Sequence, residues 1–218
     1  ANTGKSSLVA ALTNAEPDVA PYPFTTWGPT PGMMPIDNIQ VQLIDIPPLD
    51  SEHIEGEMIN LLRRADMILL VVDLQAYPIE QIETTLEMLE GYRIFPDYLQ
   101  EQEHGLRLKF VPIVILVNKA DDESFDEDFE VLQELVETKC PLLPVSAETG
   151  RNVDLLKQTV FEKLDIVRVY SRPPVKEPDF SAPFVMKRGG TLETFARKVH
   201  KDFADNLKSA RVWGSSSF

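Results

Sequence analysis

Apolar residues before residue 165 fall into short runs that alternate with segments of helical spacing. Continuous or alternating apolar runs predict strands, and apolar positions three and four residues apart predict helices. The predicted strands are 39–45, 67–73, 110–118 and 142–145, and the predicted helices are 8–13, 54–64, 78–92, 128–138 and 153–164. Strands that alternate with helices indicate parallel pairing through right-handed crossovers. The pattern therefore predicts an α/β fold, a mostly parallel sheet flanked by helices.

Two segments of this part lack an apolar period. Residues 15–31 are rich in proline, glycine and threonine, which predicts a long, mobile loop. Residues 93–106 break the pattern, which predicts a surface insertion.

The rest of the chain has a different organisation. Its predicted strands are 166–170, 184–187 and 210–213, and its predicted helix is 192–203, which Thr191 can cap. This order predicts a small α+β module. We therefore expect two domains, at residues 1–165 and 166–218.

Charge divides the chain at the same place. Residues 1–165 hold 11 basic and 30 acidic residues, a net charge of −19, whereas residues 166–218 hold 10 and 5, a net charge of +5. Only the second module has the basic character that suits nucleic acid. A solvated helix face would have the same composition, so charge alone leaves both interpretations open.

Composition limits the protein class. A chain of 218 residues with 43% hydrophobic residues can bury a full core. No apolar run reaches the ~18 residues of a membrane span, and no secretory signal is visible, so we expect no membrane association. Cys140 is the one cysteine, which excludes an internal disulfide and fits a reducing compartment. We expect a cytoplasmic protein.

A phosphate-binding motif opens the chain. Gly4, Lys5 and Ser6 match the closing half of G-x-x-x-x-G-K-[ST], whose backbone N–H groups surround phosphate oxygens at a helix start. Lys5 would lie along the β- and γ-phosphates, and the Ser6 hydroxyl would bind Mg²⁺. The opening glycine would fall before Ala1, so we expect the first strand and half of the loop to be missing. The candidate phosphate-binding residues are Asn2, Thr3, Gly4, Lys5, Ser6 and Ser7.

The most specific signal is the sequence Asn-Lys-Ala-Asp at 118–121, at the end of an apolar strand. The Asp121 carboxylate can accept both N1–H and the N2 amine of guanine, a donor pair that adenine lacks. Asn118 can bridge between loops, and the stem of Lys119 can lie over the base. The alternative is a solvated strand-to-helix turn. Because the Asn-Lys-Ala-Asp motif follows the phosphate motif in the chain, guanine recognition is favoured over this alternative.

Three further segments fit the same site. Ser146 and Ala147 follow the next predicted strand, where a backbone N–H can reach the guanine O6. Thr26 ends the sequence Tyr-Pro-Phe-Thr-Thr in the long loop and can complete the Mg²⁺ shell. Asp45 ends a strand and can hold the metal through water, although it could simply terminate that strand.

In their order, these motifs resemble the translation-factor-type GTPases of the Obg superfamily, and most of all the developmentally regulated GTP-binding (DRG) branch. The end of the chain resembles a TGS domain, a ubiquitin-like β-grasp module associated in this family with ribosome and RNA contact. The segments that carry the TGS resemblance are 168–174, 178–180, 188–193, 195–203 and 210–214.

The resemblance implies a GTP-binding and GTP-hydrolysing switch that acts on or near ribosomes. Lys5, Thr26 and Asp45 would be its catalytic residues, and Ser6 and Thr26 its Mg²⁺ ligands. Asn2 matches an asparagine that helps hold K⁺ in potassium-stimulated relatives, and an ordinary loop asparagine is the alternative. A regulatory protein partner is a further expectation, and the ribosome or RNA would contact the TGS module.

One position departs from the family pattern. The family sequence Asp-x-Pro-Gly here ends in Pro47-Pro48, and proline has no N–H and a fixed φ. We therefore expect weakened γ-phosphate sensing and, because no glutamine stands near Pro48 in the sequence to orient a water, slow intrinsic hydrolysis. The departure keeps open an alternative function, a nucleotide-binding scaffold with little or no turnover. A P-loop ATPase is a third interpretation, against which Asp121 argues.

Overall fold

The computed structural model of the protein describes residues 2–13, 30–47, 56–105, 107–172, 177, 179–205, 207 and 209–214. The chain divides into two compact units, Ala1–Leu164 and Asp165–Phe218. The first unit contains, in chain order, α1 (Lys5–Leu12), β1 (Thr30–Ile36), β2 (Ile39–Asp45), α2 (Gly56–Arg64), β3 (Ile68–Asp73), α3 (Pro78–Gly91), β4 (Ile94–Pro96), β5 (Lys109–Val111), β6 (Ile113–Asn118), α4 (Asp126–Leu135), β7 (Leu142–Pro144) and α5 (Val153–Lys163).

A parallel sheet with the strand order β3-β6-β7 lies at the centre of this unit. Every residue of β6 is buried, which explains why its sequence is a continuous apolar run rather than an alternating one. Residues of α3 and α4, including Ile82 and Leu132, pack in the same core as this sheet. Asp73 and Asn118 pair at the carboxyl ends of β3 and β6, so polar residues from two strands meet at one edge.

An antiparallel hairpin of β1 and β2 adds a second sheet. The strand β2 is confirmed, but β1 was not predicted, because Pro31, Gly32 and Pro35 resemble turn residues. Pairing along the whole of β2 overrides those local preferences. The predicted loop at 15–31 is therefore wrong at its last two residues, and residues 14–29 lie outside the described part.

Two predictions around β4 and β5 need correction. Residues 93–106 are not purely a surface insertion, because they include β4, where Ile94 and Phe95 are buried. This strand pairs in parallel with β5. The predicted strand 110–118 is two strands, since Pro112 lacks the N–H needed to continue one ladder. As a result β5 pairs with β4, while β6 pairs with β3 and β7.

The predicted helices of the first unit are all present with shifted ends. The helix α1 begins at Lys5 rather than residue 8, directly after the phosphate motif, and α4 begins two residues and ends three residues earlier than predicted. The helix α2 is described from Gly56, and its two predicted residues before that point lie outside the described part.

The second unit contains β8 (Ile166–Val169), β9 (Phe184–Lys187), α6 (Leu192–Val199) and α7 (Lys201–Asp205). Strands β8 and β9 pair antiparallel, and the Phe195 ring of α6 meets the Phe184 ring of β9 edge-on with centroids 5.4 Å apart. The predicted Thr191 cap is present, because its hydroxyl accepts from the Thr194 N–H at 3.2 Å.

Two predictions in this unit are wrong. The single helix 192–203 is interrupted at His200, whose φ of −165° is extended. The strand 210–213 does not form in the described part, where residues 209–214 have no strand pairing. Trp213 is 69% exposed there, so its apolar surface lacks the burial that would stabilise a strand. No described helix is long and apolar enough to cross a membrane.

Candidate nucleotide-binding site

The phosphate motif forms a tight turn into α1. Gly4 has a φ of +80°, a left-handed conformation, and its carbonyl accepts the first helical hydrogen bond from the Leu8 N–H at 2.9 Å. A Cβ at Gly4 would lie 2.5 Å from Nδ2 of Asn118, so both the conformation and the space require glycine. Thr3 is buried, whereas Asn2 and Ser6 are exposed at the start of α1. A helix N-terminus with accessible N–H groups suits a phosphate.

The two described Mg²⁺ candidates are in contact. The Ser6 hydroxyl donates to Oδ2 of Asp45 at 2.6 Å, joining the start of α1 to the end of β2. A hydroxyl beside a carboxylate gives the hard oxygen donors that Mg²⁺ prefers, with phosphate oxygens and water completing its shell. The residues present therefore fit the metal. No cluster of three or more acidic, His or Cys residues forms a separate metal site in the described ranges.

Asn118 joins three segments, as predicted. Its Nδ2 donates to the Thr3 carbonyl at 2.9 Å, and its Oδ1 accepts from the Ala147 N–H at 3.0 Å. The side chain is almost fully buried. One amide thus fixes the phosphate turn and the 146–147 segment against the end of β6.

Asp121 is held by the loop that follows β7. The buried Ser146 hydroxyl donates to Oδ1 of Asp121 at 2.6 Å, and the Thr149 hydroxyl donates to the Asp121 carbonyl at 3.1 Å. Ser146 Oγ also accepts from the N–H groups of Glu148 and Thr149. The loop is therefore ordered around this carboxylate.

Lys119 is fixed through both its side chain and its backbone. Its ammonium pairs with the Asp73 carboxylate at the end of β3. Its backbone has a φ of +66°, and its carbonyl accepts from Gln75 Nε2 at 3.1 Å. The Gln75 N–H in turn donates to Oδ1 of Asp73 at 2.9 Å. Neither Asp73 nor Gln75 was predicted, although Asp73 ends a buried strand just as Asp45 and Asn118 do.

Arg151 was also missed, because a lone arginine after a short strand carries no motif. Its Nη1 donates to the carbonyls of Ala120 and Asp122, and its Nη2 pairs with Asp126 at 2.7 Å. Asp122 points to a different partner, since its Oδ1 accepts from the Ser124 hydroxyl and N–H. The Ser124 hydroxyl is the main reason that the pKa of Asp122 lies below its ordinary value.

Of the predicted site residues, Thr26 lies outside the described part, as does Pro48 of the departing segment. Lys5 and Ser7 lie in the first turn of α1. The side-chain and backbone contacts above bring together residues from four segments of the sequence. They are Thr3, Gly4, Ser6, Asp45, Asn118, Lys119, Asp121, Ser146 and Ala147.

Two protein families match the chain. Residues 1–119 match the family described as 50S ribosome-binding GTPase, and residues 167–217 match the TGS domain. The first match spans more than half of the chain.

Curated relatives match nearly the whole chain. A GTP-binding protein of Methanocaldococcus jannaschii is 31% identical over 99% of this chain and 70% of its own length. Developmentally-regulated G-protein 3 of Arabidopsis thaliana is 26% identical over 99% of this chain and 73% of its own length. Ribosome-interacting GTPase 1 of Saccharomyces cerevisiae is 23% identical over 99% of this chain and 73% of its own length. The archaeal alignment extends over 276 positions, more than the chain has, so that relative carries internal residues absent here.

Solved structures support the fold. The G domain of the FeoB iron transporter of T. maritima has a TM-score of 0.52 at 23% identity, over 74% of this chain and 92% of that one. The cytosolic domain of FeoB from L. pneumophila has a TM-score of 0.51 at 23% identity, over 74% of this chain and 60% of that one.

These matches confirm the predicted fold class, a P-loop GTPase sheet followed by a small TGS module, and the predicted resemblance to DRG proteins. They also confirm the predicted GTP-hydrolysing activity, with GTP and GDP as ligands and Mg²⁺ as the usual metal of such enzymes. The chain belongs to the 50S ribosome-binding GTPase family, as a DRG-like member of the Obg superfamily that carries a TGS domain.

Proposed function

We propose that this GTPase binds its nucleotide in the site built around Asn118, and that residues 1–165 form its catalytic domain. The observation that carries the proposal is the double contact of Asn118. It ties the phosphate turn at Thr3 to Ala147, a segment that the sequence assigns to base recognition. In a solvated turn, the Asn118 amide would be exposed and would bond to water instead of to these two segments.

At the phosphate end, the N–H groups of residues 2–7 would surround the phosphate oxygens, and Lys5 would neutralise the β- and γ-phosphates. Ser6 and Thr26 would bind Mg²⁺ directly, with Asp45 holding it through water. The metal, when bound, offsets negative charge that develops on the phosphate oxygens during hydrolysis. The Ser6–Asp45 contact supports this assignment, because both groups already converge at one place.

At the base end, Asp121 would accept N1–H and the N2 amine of guanine. Lys119 would lie along the base plane, and the segment 146–147 would lie beside the O6 oxygen, with the Ala147 N–H shared between O6 and Oδ1 of Asn118. Support comes from the restraint on Asp121, whose carboxylate is held by Ser146 and whose carbonyl is held by Thr149. A fixed carboxylate discriminates better than a mobile one, because the wrong base then leaves it unpaired.

Turnover would be slow without help. Pro48 replaces the glycine that the family uses to sense the γ-phosphate, and no glutamine stands near it in the sequence to orient a water. Asn2 is exposed at the loop and would help to hold K⁺, a monovalent charge that acts where other GTPases use an arginine. A scaffold with little turnover is the second candidate function, which Pro48 favours.

Residues 166–218 would contact the ribosome or RNA in the cytoplasm, and a regulatory protein would assist the cycle. Their net charge of +5 supports this, as does a yeast relative named a ribosome-interacting GTPase. Arg197 pairs with Glu193 and Arg188 pairs with Asp165, but both pairs are exposed and cost little to exchange for phosphate contacts.

The test is the affinity of the protein for GTP, GDP and ATP with Mg²⁺, with and without K⁺, together with turnover. We expect guanine-selective binding and K⁺-stimulated hydrolysis. Guanine-selective binding without turnover would instead support the scaffold.

A base-swap variant tests the role of Asp121 directly. In Asp121→Asn the amide can donate to the second carbonyl of xanthine, so preference should move from GDP to XDP. Asp122→Asn is the matched control, since Asp122 accepts from Ser124 and should leave base preference unchanged. Equal effects of the two variants would contradict the assignment.

A further inference from the structure

Arg151 contacts the residues on both sides of Asp121. Its Nη1 donates to the carbonyl of Ala120 at 3.3 Å and to the carbonyl of Asp122 at 2.5 Å. Its Nη2 donates to Oδ1 of Asp126, the first residue of α4, at 2.7 Å. One planar guanidinium therefore contacts residues 120, 122 and 126 in the turn that leads from β6 into α4.

The backbone of Arg151 acts on the same carboxylate from the other side. Its carbonyl accepts from the Ser146 N–H at 3.2 Å, and the Ser146 hydroxyl donates to Oδ1 of Asp121 at 2.6 Å. Arg151 thus fixes the backbone flanking Asp121 through its side chain, and fixes the residue that orients the Asp121 carboxylate through its main chain.

The hydrogen bonds from Arg151 to the two carbonyls hold this turn more strongly than its ion pair with Asp126 does. The Asp126 side chain is 46% exposed, so water screens its attraction to Arg151. The Arg151 side chain is only 21% exposed, and it donates to the carbonyls of Ala120 and Asp122, the residues before and after Asp121. Lysine cannot replace it, because a single ammonium lacks the fork that reaches several acceptors at fixed angles.

We propose that Arg151 is a positioning residue for guanine specificity, which holds the Asp121 carboxylate where it accepts N1–H and the N2 amine together. The proposal rests on the role proposed above for Asp121. If the turn around Asp121 loosens, the hydrogen bond to the N2 amine weakens most. A mobile Asp121 carboxylate can still accept from N1–H but cannot accept from N1–H and the N2 amine together.

The test compares GDP with IDP, whose hypoxanthine base keeps N1–H and O6 but lacks the N2 amine. In Arg151→Ala we expect GDP affinity to fall about tenfold and IDP affinity about threefold or less, so that the GDP preference shrinks. In Arg151→Lys the ion pair to Asp126 can persist, and we still expect most of the preference to be lost. Full retention of preference in the lysine variant would overturn the role of the fork.

Arg63→Ala is the matched control. The guanidinium of Arg63 also donates to two carbonyls, those of Tyr92 at 2.7 Å and Arg107 at 3.4 Å, but away from the Asp121 turn. General loosening of the fold should weaken GDP and IDP equally, so the ratio in this variant should match that of the unaltered protein. An equal loss of preference in both arginine variants would overturn the proposal.

The outcomes separate this inference from the proposed function. If the unaltered protein binds GDP no better than IDP, the role of Asp121 fails and the inference fails with it. If that preference is present and Arg151→Ala keeps it, only the inference fails.

Amide hydrogen exchange, measured without nucleotide, tests whether Arg151 holds the turn in place. The N–H groups of Ser124 and Phe125 donate to Asp122, whose carbonyl Arg151 holds, so exchange at these two amides should accelerate in Arg151→Ala while β6 stays protected. Unchanged exchange there would overturn the proposal.

Discussion

Nδ2 of Asn118 lies 2.9 Å from the carbonyl oxygen of Thr3, 115 residues earlier in the chain. This hydrogen bond connects the start of α1 to the end of β6. The Oδ1 atom of the same side chain accepts a hydrogen bond from the Ala147 N–H. The Asn118 amide therefore contacts both the turn proposed to bind phosphate and the segment proposed to face the base. Under the proposed assignment, the Asn118 side chain would couple phosphate binding to base recognition.

Replacing Asn118 should damage both stability and binding. Asn118→Ala removes a donor and an acceptor at an almost fully buried position and leaves two backbone groups unpaired. We expect the free energy of unfolding to fall by about 2 kcal/mol or more. Denaturant unfolding measures this, and GDP titration should show a loss of affinity. Asn118→Asp is informative because its carboxylate can accept from Ala147 but cannot donate to Thr3. It should bind more weakly than the unaltered protein.

Gly4 lies against this same amide, so adding one methyl group should disrupt it. Gly4→Ala combines a left-handed φ with a Cβ placed 2.5 Å from Asn118 Nδ2. The conformational strain alone is about 1 kcal/mol, and the clash must move either the turn or Asn118. We expect loss of nucleotide binding by calorimetry.

Gly189→Ala is the control for that variant. Gly189 has a φ of +77°, nearly the same as Gly4, but a Cβ there would meet nothing within 4 Å. It should lower stability modestly and leave nucleotide affinity intact. Similar binding in both alanine variants would show that the contact to Asn118 is unimportant.

The contacts of Asn118 show what the sequence can and cannot predict. Its bridging role was predicted because the strand ends of a parallel sheet converge, and because the position of the Asn-Lys-Ala-Asp motif after the phosphate motif favours guanine recognition. The supporting residues Asp73 and Arg151 were not predicted. Their contacts join segments 46 and 25 residues apart, and no local spacing encodes such pairs.

The missed elements have equally specific causes. The strand β1 contains two prolines and a glycine, which disfavour a strand, yet it forms because antiparallel pairing along the whole of β2 stabilises it. Pro112 divides one apolar run into two strands that join different sheets, and an apolar pattern cannot reveal which partner each half takes. The fold class follows from the pattern, whereas these details depend on tertiary pairing.

Asp73 should tune nucleotide affinity through Lys119. Asp73→Asn removes the carboxylate that pairs with the Lys119 ammonium, which frees that side chain to move away from the base. We expect affinity for GTP and GDP to fall together by about threefold to tenfold, since the base is common to both. Fluorescent-nucleotide titration checks this. A selective loss of GTP would argue that Asp73 acts at the phosphates instead.

Cys140 should give the unfolding free energy a pH dependence at alkaline pH. Burial disfavours its thiolate, which raises the pKa of the Cys140 thiol above its ordinary value. The folded state therefore binds the proton more tightly than the unfolded state. This contribution is complete below the ordinary thiol pKa and is lost as pH rises through the raised value.

Denaturant unfolding at increasing pH tests this, with Cys140→Ala for comparison. The alanine variant should be less stable at neutral pH, because it leaves a small cavity, but its stability should fall less steeply at alkaline pH. Identical slopes in the two proteins would mean that another group causes the dependence. Thiol reagents should modify the native protein slowly, since Cys140 is only 3% exposed.

Pro48 offers a test of switching in the GTP cycle. It stands where the family pattern has glycine, and proline can neither donate an N–H to the γ-phosphate nor adopt the conformations that glycine reaches. Pro48→Gly should therefore increase the preference for GTP over GDP, by about threefold or more if one hydrogen bond to a charged oxygen is regained. Parallel titrations with a non-hydrolysable GTP analogue and with GDP measure the ratio. Pro47→Gly is the control, since Pro47 matches the family pattern, and it should not raise that preference. An unchanged ratio in Pro48→Gly would mean that the γ-phosphate is sensed elsewhere in the site.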